Sequence, residues 1–198
     1  MLEQLNFKIV GVAPLLMHNG RLADPLDDIV RQIKEVSGKR HKTDADHEEM
    51  ARLEWLGSLY LYEGEPCIPA DVMGAALIGK GGAARKQRMG KQAAAGLMVF
   101  DSFPLEYEGP RDPHELYQLP EFRFRCRVKI GQASVMRTRP IFREWAAAIT
   151  VMYNPDIINA DDVGLWMQIA GAEVGLMDWR PKYGRFEVEE LKTSLDKC

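Results

Sequence analysis

The sequence predicts an α+β fold, and three observations carry that expectation. Period-two alternation marks strands at Leu5–Ile9 and Phe122–Ile130. Apolar residues at helical spacing mark helices after Asp24, at Met50–Tyr60 and at Val163–Val174. In chain order the elements run strand, helices, a central basic region, strand, helix, strand. The outer parts of that order fit one β-α-β…β-α-β unit, the ferredoxin-like arrangement. It carries a helical insertion over 25–62 and a basic β-hairpin within 105–130. A single domain over 1–198 is expected, because 198 residues at 46% hydrophobic supply an ample core.

Each element has its own signal. Leu5, Phe7 and Ile9 alternate with Asn6 and Lys8, then the run turns apolar through Val10 and Val12. Pro14 ends this strand, and Leu15–Gly20 reads as a loop. Asp24 suits an N-cap and Pro25 a first helical residue, with Leu26, Ile29, Val30 and Ile33 following at helical spacing. Ser37–Glu49 holds no large apolar side chain and reads as a mobile charged linker. Helical spacing resumes at Met50, Leu53, Leu56 and Tyr60. Pro69 opens a further helix whose small residues allow close packing. Trp145–Tyr153 is apolar on both faces and reads as a central strand. Asn159 caps the last helix, with Asp161 and Asp162 in its favourable first turn. Val163, Trp166, Met167, Ala170 and Val174 form its buried stripe. Tyr183–Val188 is the final strand, with Phe186 and Val188 on the core face.

Composition sets bounds on class. There is no apolar run near 18 residues, so no membrane span is expected. The N-terminus lacks a basic stretch followed by an apolar one, so a cytoplasmic location is expected. Cys67, Cys126 and Cys198 share no C-x-x-C spacing and read as reduced thiols. The four histidines are scattered, and no metal or cofactor is expected.

The net charge of −3 hides an asymmetry. Residues 1–78 carry 8 basic and 13 acidic side chains, residues 79–143 carry 13 and 6, and residues 144–198 carry 5 and 10. Positive charge is thus concentrated in the middle of the chain, a footprint for polyanions. The alternative is a solvated surface whose basic face pairs with the acidic flanks.

Within the basic block, Gly79–Lys91 holds Lys80, Arg85, Lys86, Arg88 and Lys91 among four glycines. Its spacing fits neither a Walker A loop nor a dinucleotide fingerprint. A flexible basic loop approaching a phosphate backbone is the better match. In Phe122–Ile130, Phe122, Phe124, Cys126, Val128 and Ile130 point one way, and Arg123, Arg125, Arg127 and Lys129 the other. That is a ladder of cations along about 20 Å of strand. Like charges on one face cost stability unless an anion meets them. Glu106 and Glu108 on a neighbouring hairpin arm are the structural candidates; a nucleic acid is the functional one. Arg137 and Arg139 continue the block.

Near the C-terminus, Gly171, Gly175 and Asp178–Phe186 close a helix, form a Gly-containing loop and lead into the last strand. Arg180 precedes Pro181, which biases its backbone to extended geometry. Gly184 is expected to need a conformation or close approach that a side chain forbids. Backbone amides with Arg180 and Arg185 in one tight connection suit a phosphate. A helix-to-strand turn without a ligand is the alternative.

Three segments resemble the RAMP superfamily, the RNA-binding proteins of CRISPR effector complexes. They are Ala13-Pro14-Leu15-Leu16, Ile68–Gly79 and Gly171–Phe186. The resemblance implies an RRM-like fold. It also implies a backbone-type subunit of which copies, or other CRISPR-type effector subunits, line up along an RNA. Two departures stand out: Asp178-Trp179 replaces the small residues common in the terminal loop, and the chain is compact for such a subunit. Both leave room for a stand-alone or phage-encoded relative. The functional expectation is sequence-tolerant binding of single-stranded nucleic acid, RNA before DNA, through the cations named above and without catalysis. One rival is a metal-dependent ribonuclease using Asp24 or Asp28, or a metal-free one using His18. Helix capping is the structural role open to the aspartates. Another is a structural phage assembly protein.

Overall fold

A computed structural model describes residues 1–191 and is mixed α+β. Its strands are β1 (Glu3–Gly11), β2 (Leu15–Leu16), β3 (Leu61–Tyr62), β4 (Glu65–Ile68), β5 (Leu97–Met98), β6 (Phe103–Pro104), β7 (Arg123–Ile130), β8 (Ala133–Phe142), β9 (Ala146–Tyr153) and β10 (Phe186–Leu191). Its α-helices are α1 (Asp28–Ser37), α2 (Asp44–Ser58), α3 (Ala70–Ile78), α4 (Ala83–Lys86), α5 (Gly90–Gly96), α6 (Pro113–Gln118) and α7 (Ala160–Ile169). Among the described residues no helix is long and apolar enough to cross a membrane.

The chain falls into two compact units. The first gathers 1–15, 67–108 and the chain from 143 onward; the second gathers 16–66 and 109–142. The expected insertion of 25–62 lies in the second unit, together with 109–142.

The first unit is built on a four-stranded sheet of order β10-β1-β9-β5, antiparallel throughout. Phe7 and Ile9 of β1 are buried as the alternation requires, and Phe186 of β10 joins them. β9 sits inside the sheet, yet its burial alternates: Ala147, Ile149, Val151 and Tyr153 are buried, while Ala148 is exposed. Its apolar run thus serves one covered face, and alanines on the other face disguised the period. Gly11 is needed where the Trp145 indole crosses β1, since a Cβ there would lie 2.2 Å from the ring. The indole N–H donates to the Ala13 carbonyl at 2.9 Å. In α7, Asn159 accepts from the Asp162 amide, and Val163, Trp166 and Met167 are buried as expected. The helix continues as a π-turn through Ala170–Val174.

The 79–91 stretch belongs to this unit and is not a free loop. It folds into α4 and α5. Gly82 lies against the backbone of Leu77 and Gly79, and Ala83 and Ala84 are fully buried. Small residues here anchor the chain to its own core, which removes the freedom that glycine alone suggested.

In the second unit, α1 starts three residues later than expected. Asp27 is its N-cap and accepts from the Ile29 amide at 2.9 Å, whereas Asp24 caps a tight turn through the Leu26 amide. The supposed linker of Ser37–Glu49 ends at Thr43. There a capping box between Thr43 and Asp46 starts α2. Lys39 also donates to Asp46. Polar residues fill the first turn of this helix, so a run without apolar side chains does not mark a linker here. Trp55 of α2 is fully buried, and its indole N–H donates to the Phe122 carbonyl at 2.8 Å. Phe122 in turn meets Phe142.

The hairpin is β7 with β8, not the expected pairing of 105–108 with 121–130. Leu105–Glu108 belongs to the first unit, where Glu106 bridges Ala146 and pairs with Lys8. Gly131 at φ +58° closes the β7–β8 turn, and a short connection between adjacent alternating runs prevails over the distant one.

Candidate nucleic-acid interface

Register decides what each hairpin cation can do. Arg125 faces Thr138, Arg127 faces Met136 and Lys129 faces Ser134 across the strands. These three cations are exposed, while Phe124, Cys126 and Val128 on the other face are half-buried. The expected ladder therefore forms, and its cross-strand neighbours are neutral. The acidic partners considered for it, Glu106 and Glu108, lie in the other unit. Arg123, at the base of the ladder, is half-buried and sits over the Tyr117 ring, 5.2 Å from its centroid.

Arg137 and Arg139 belong to the opposite face, facing Cys126 and Phe124. Arg137 is ion-paired with Glu54 of α2, whose carboxylate is nearly buried and also accepts from the Thr138 amide at 3.2 Å. Arg139 is 8% exposed. Arg137 thus has its charge engaged within the fold and Arg139 is covered, so neither stands in the exposed row. A buried carboxylate left without its cation is costly.

In the first unit, Lys80, Arg85, Lys86, Arg88 and Lys91 are all exposed on the short helices and their turns. Lys86 pairs with Glu173 of the π-turn at 2.8 Å. That contact ties the basic helices to the terminal loop. Arg88 adopts φ +62°, so its side chain leaves the turn in a direction ordinary helical residues do not take.

The terminal loop meets half of what was expected. Gly184 does need its identity: φ is +70° and a Cβ would stand 2.1 Å from the Leu176 carbonyl oxygen. Gly171 likewise lets the Phe186 backbone approach. Several of the loop amides are already engaged, however. Those of Gly175, Leu176, Lys182, Tyr183 and Gly184 donate to the carbonyls of Ala170, Gly184, Trp179, Trp179 and Pro14. Arg185 donates its guanidinium to the Ala172 carbonyl, closing the end of the π-turn. Arg180 is exposed, as is Lys182. Both guanidiniums are exposed, but Arg185 is tied back to the Ala172 carbonyl and several of the amides expected to face an anion are engaged.

Sequence reasoning passed over the aromatic members of these surfaces. Trp179, 39% exposed and at φ +53°, lies 6.0 Å from Tyr183, over which Lys182 sits at 5.4 Å. Tyr117 lies on α6, where Asp112 and Pro113 announce an N-terminus that was legible in the sequence. Only the tertiary fold brings it under Arg123.

The aspartates named for a nuclease serve local structure. Asp24 holds its turn and Asp28, in the first turn of α1, pairs with Arg31. His18 is exposed, with its carbonyl accepting from the Tyr60 hydroxyl. Among the described residues no group of three or more His, Cys, Asp or Glu is placed to hold a metal. Cys67 is buried, which pushes its thiol up to about 11, and Cys126 is half-buried; Cys198 lies outside the described residues. The chain matches no protein-family model and no curated protein.

Proposed function

We propose that this protein binds single-stranded nucleic acid without strong sequence preference, RNA before DNA. The observation that carries this reading is the β7 face. Arg125, Arg127 and Lys129 stand exposed at period two, each opposite a neutral residue. Alternate strand residues are about 6.6 Å apart, so the three cations span about 13 Å. A flexible polyanion can follow such a row, and release of its counterions supplies the affinity. The exposed cations of 80–91 and the exposed Arg180 add positive charge in the first unit.

The order β10-β1-β9-β5, with helices between β1 and β5 and between β9 and β10, supports a ferredoxin-like core for the first unit. It agrees with the resemblance to RAMP proteins and with a backbone-type subunit or a stand-alone relative. The sheet itself is a poor RNA platform. Its less buried face presents Gln4, Asn6, Lys8 and Val10 of β1 with Glu187 and Glu189 of β10, and no aromatic residue among the described residues. Binding is therefore assigned to the hairpin and the basic helices.

Fluorescence anisotropy with labelled single-stranded RNA, single-stranded DNA and duplex tests this. Binding should be strongest to single-stranded RNA and weakest to duplex. Duplex preference, or no binding to any of the three, would overturn the proposal. Light scattering on the same samples reports whether copies assemble along the strand.

A further inference from the structure

An open groove of about 720 Å³ lies in the second unit, between α2, α6 and the base of the hairpin. That volume falls in the ~300–1,000 Å³ range of small-ligand clefts. We infer that the groove holds one unstacked nucleobase of a bound strand, guanine in preference to the others. This inference rests on the nucleic-acid reading above and gives it a base-recognition site.

The groove has the parts such a site requires. Its lining includes Arg123 and Arg125, the two ladder cations nearest the base of β7. Arg123 is held in place over Tyr117, and Tyr117 is fixed by the edge of Trp55 at 5.4 Å. A guanidinium held over an aromatic ring still has a side turned away from that ring on which a base can stack, and every base has a π face to offer in return. Arg125 is exposed beside it and continues into Arg127 and Lys129. A strand whose phosphates follow the ladder thus has a base within reach of the groove.

The polar lining sets the preference. Glu49 is committed to Arg52 through two hydrogen bonds of 2.8 and 2.7 Å, and Arg52 holds its carboxyl below the usual range. Glu48 is exposed and shows no ion pair or hydrogen bond among the described residues. A carboxylate accepts two parallel N–H bonds, and the guanine Watson–Crick edge presents two, from N1 and the exocyclic amine. The same edge of adenine, cytosine or uracil offers a carboxylate no such adjacent pair. The Gln118 amide and Thr138 hydroxyl supply further hydrogen-bonding groups in the lining.

The test uses the full chain and short uridine-tract RNA carrying one central guanosine. Parallel strands replace that guanosine with an abasic ribose, adenosine or cytidine. The guanosine strand should bind roughly five- to hundred-fold more tightly than the abasic one, the range of a bidentate base contact. Glu48→Gln, an exposed change, should reduce the preference for guanosine over adenosine and cytidine to within about twofold, while stacking on Arg123 keeps all three above the abasic strand. Equal binding of guanosine and abasic strands would overturn the base site and leave backbone binding standing. Preference for adenosine or cytidine, or a guanosine preference untouched by Glu48→Gln, would overturn the guanine assignment. Failure to bind any strand would overturn both readings.

Discussion

The two strands of one hairpin carry cations at the same spacing and put them to opposite uses. On β7, Arg125, Arg127 and Lys129 stand in solvent opposite neutral residues. On β8, Arg137 neutralises the nearly buried Glu54 and Arg139 is covered. The sequence pattern is alike, and the face to which each residue is assigned differs. Charge density in a sequence therefore counts candidates, whereas register tells which of them remain available to a ligand. The terminal loop repeats the lesson: Arg180 and Arg185 are both exposed, but Arg185 is tied to the Ala172 carbonyl.

The largest expected effect comes from the position where structure leaves no choice. Gly184→Val forces a branched side chain into φ +70° and against the Leu176 carbonyl. It should cost more than about 3 kcal/mol and lower Tm by about 6–12 °C. An unchanged Tm would show that the terminal loop tolerates what its geometry forbids.

The β7/β8 contrast itself is broken by exchanging the expected phenotypes. Arg125→Glu with Arg127→Glu should weaken single-strand binding at least about tenfold and change stability by about 0.5 kcal/mol per site or less. Arg137→Ala should do the reverse. It strands the Glu54 carboxylate, and because Arg137 keeps about a third of its side-chain surface, the loss should be about 1–3 kcal/mol. Affinity of the folded fraction should match the parent's. Denaturant melts and anisotropy on the same preparations decide it; a stability loss in the β7 pair with unchanged affinity would make the ladder structural.

A smaller effect sharpens the comparison within the terminal loop. Arg180→Ala should reduce affinity by only a few fold and make the log–log salt slope about 0.7 less negative, the share of one phosphate on a single strand. With five to seven phosphates neutralised, the parent slope should be roughly −3.5 to −5. Unchanged affinity and slope at several salt concentrations would leave the loop as a turn.

The smallest effect concerns the start of α2. Hydrogen bonds from Lys39 and from the Thr43 amide and hydroxyl hold Asp46 at about 2, below its ordinary 3.8. A carboxyl depressed in the folded state contributes stability above its unfolded value and loses it as pH falls. The contribution should fade between about pH 4 and pH 2. Asp46→Asn should lower stability slightly at neutral pH and remove that part of the acid dependence. An identical acid profile in the variant would remove the capping box from the account.

What the sequence by itself determined were features governed by near neighbours. The period-two burial of β1, the Asn159 cap, the buried stripe of α7 and the outward row on β7 all follow from alternation, helical spacing or a single capping side chain. Local patterns carry such information because backbone geometry repeats every two or 3.6 residues. Tertiary structure alone decided which segments meet. It paired β7 with β8, set Glu106 beside Lys8, folded 79–91 onto its own alanines, and divided the chain into two units. It also separated the cations that hold the fold from those left to a ligand, and it placed Arg123 over Tyr117. Partners distant in sequence are chosen by the burial and charge balance of the whole chain, for which no local period exists.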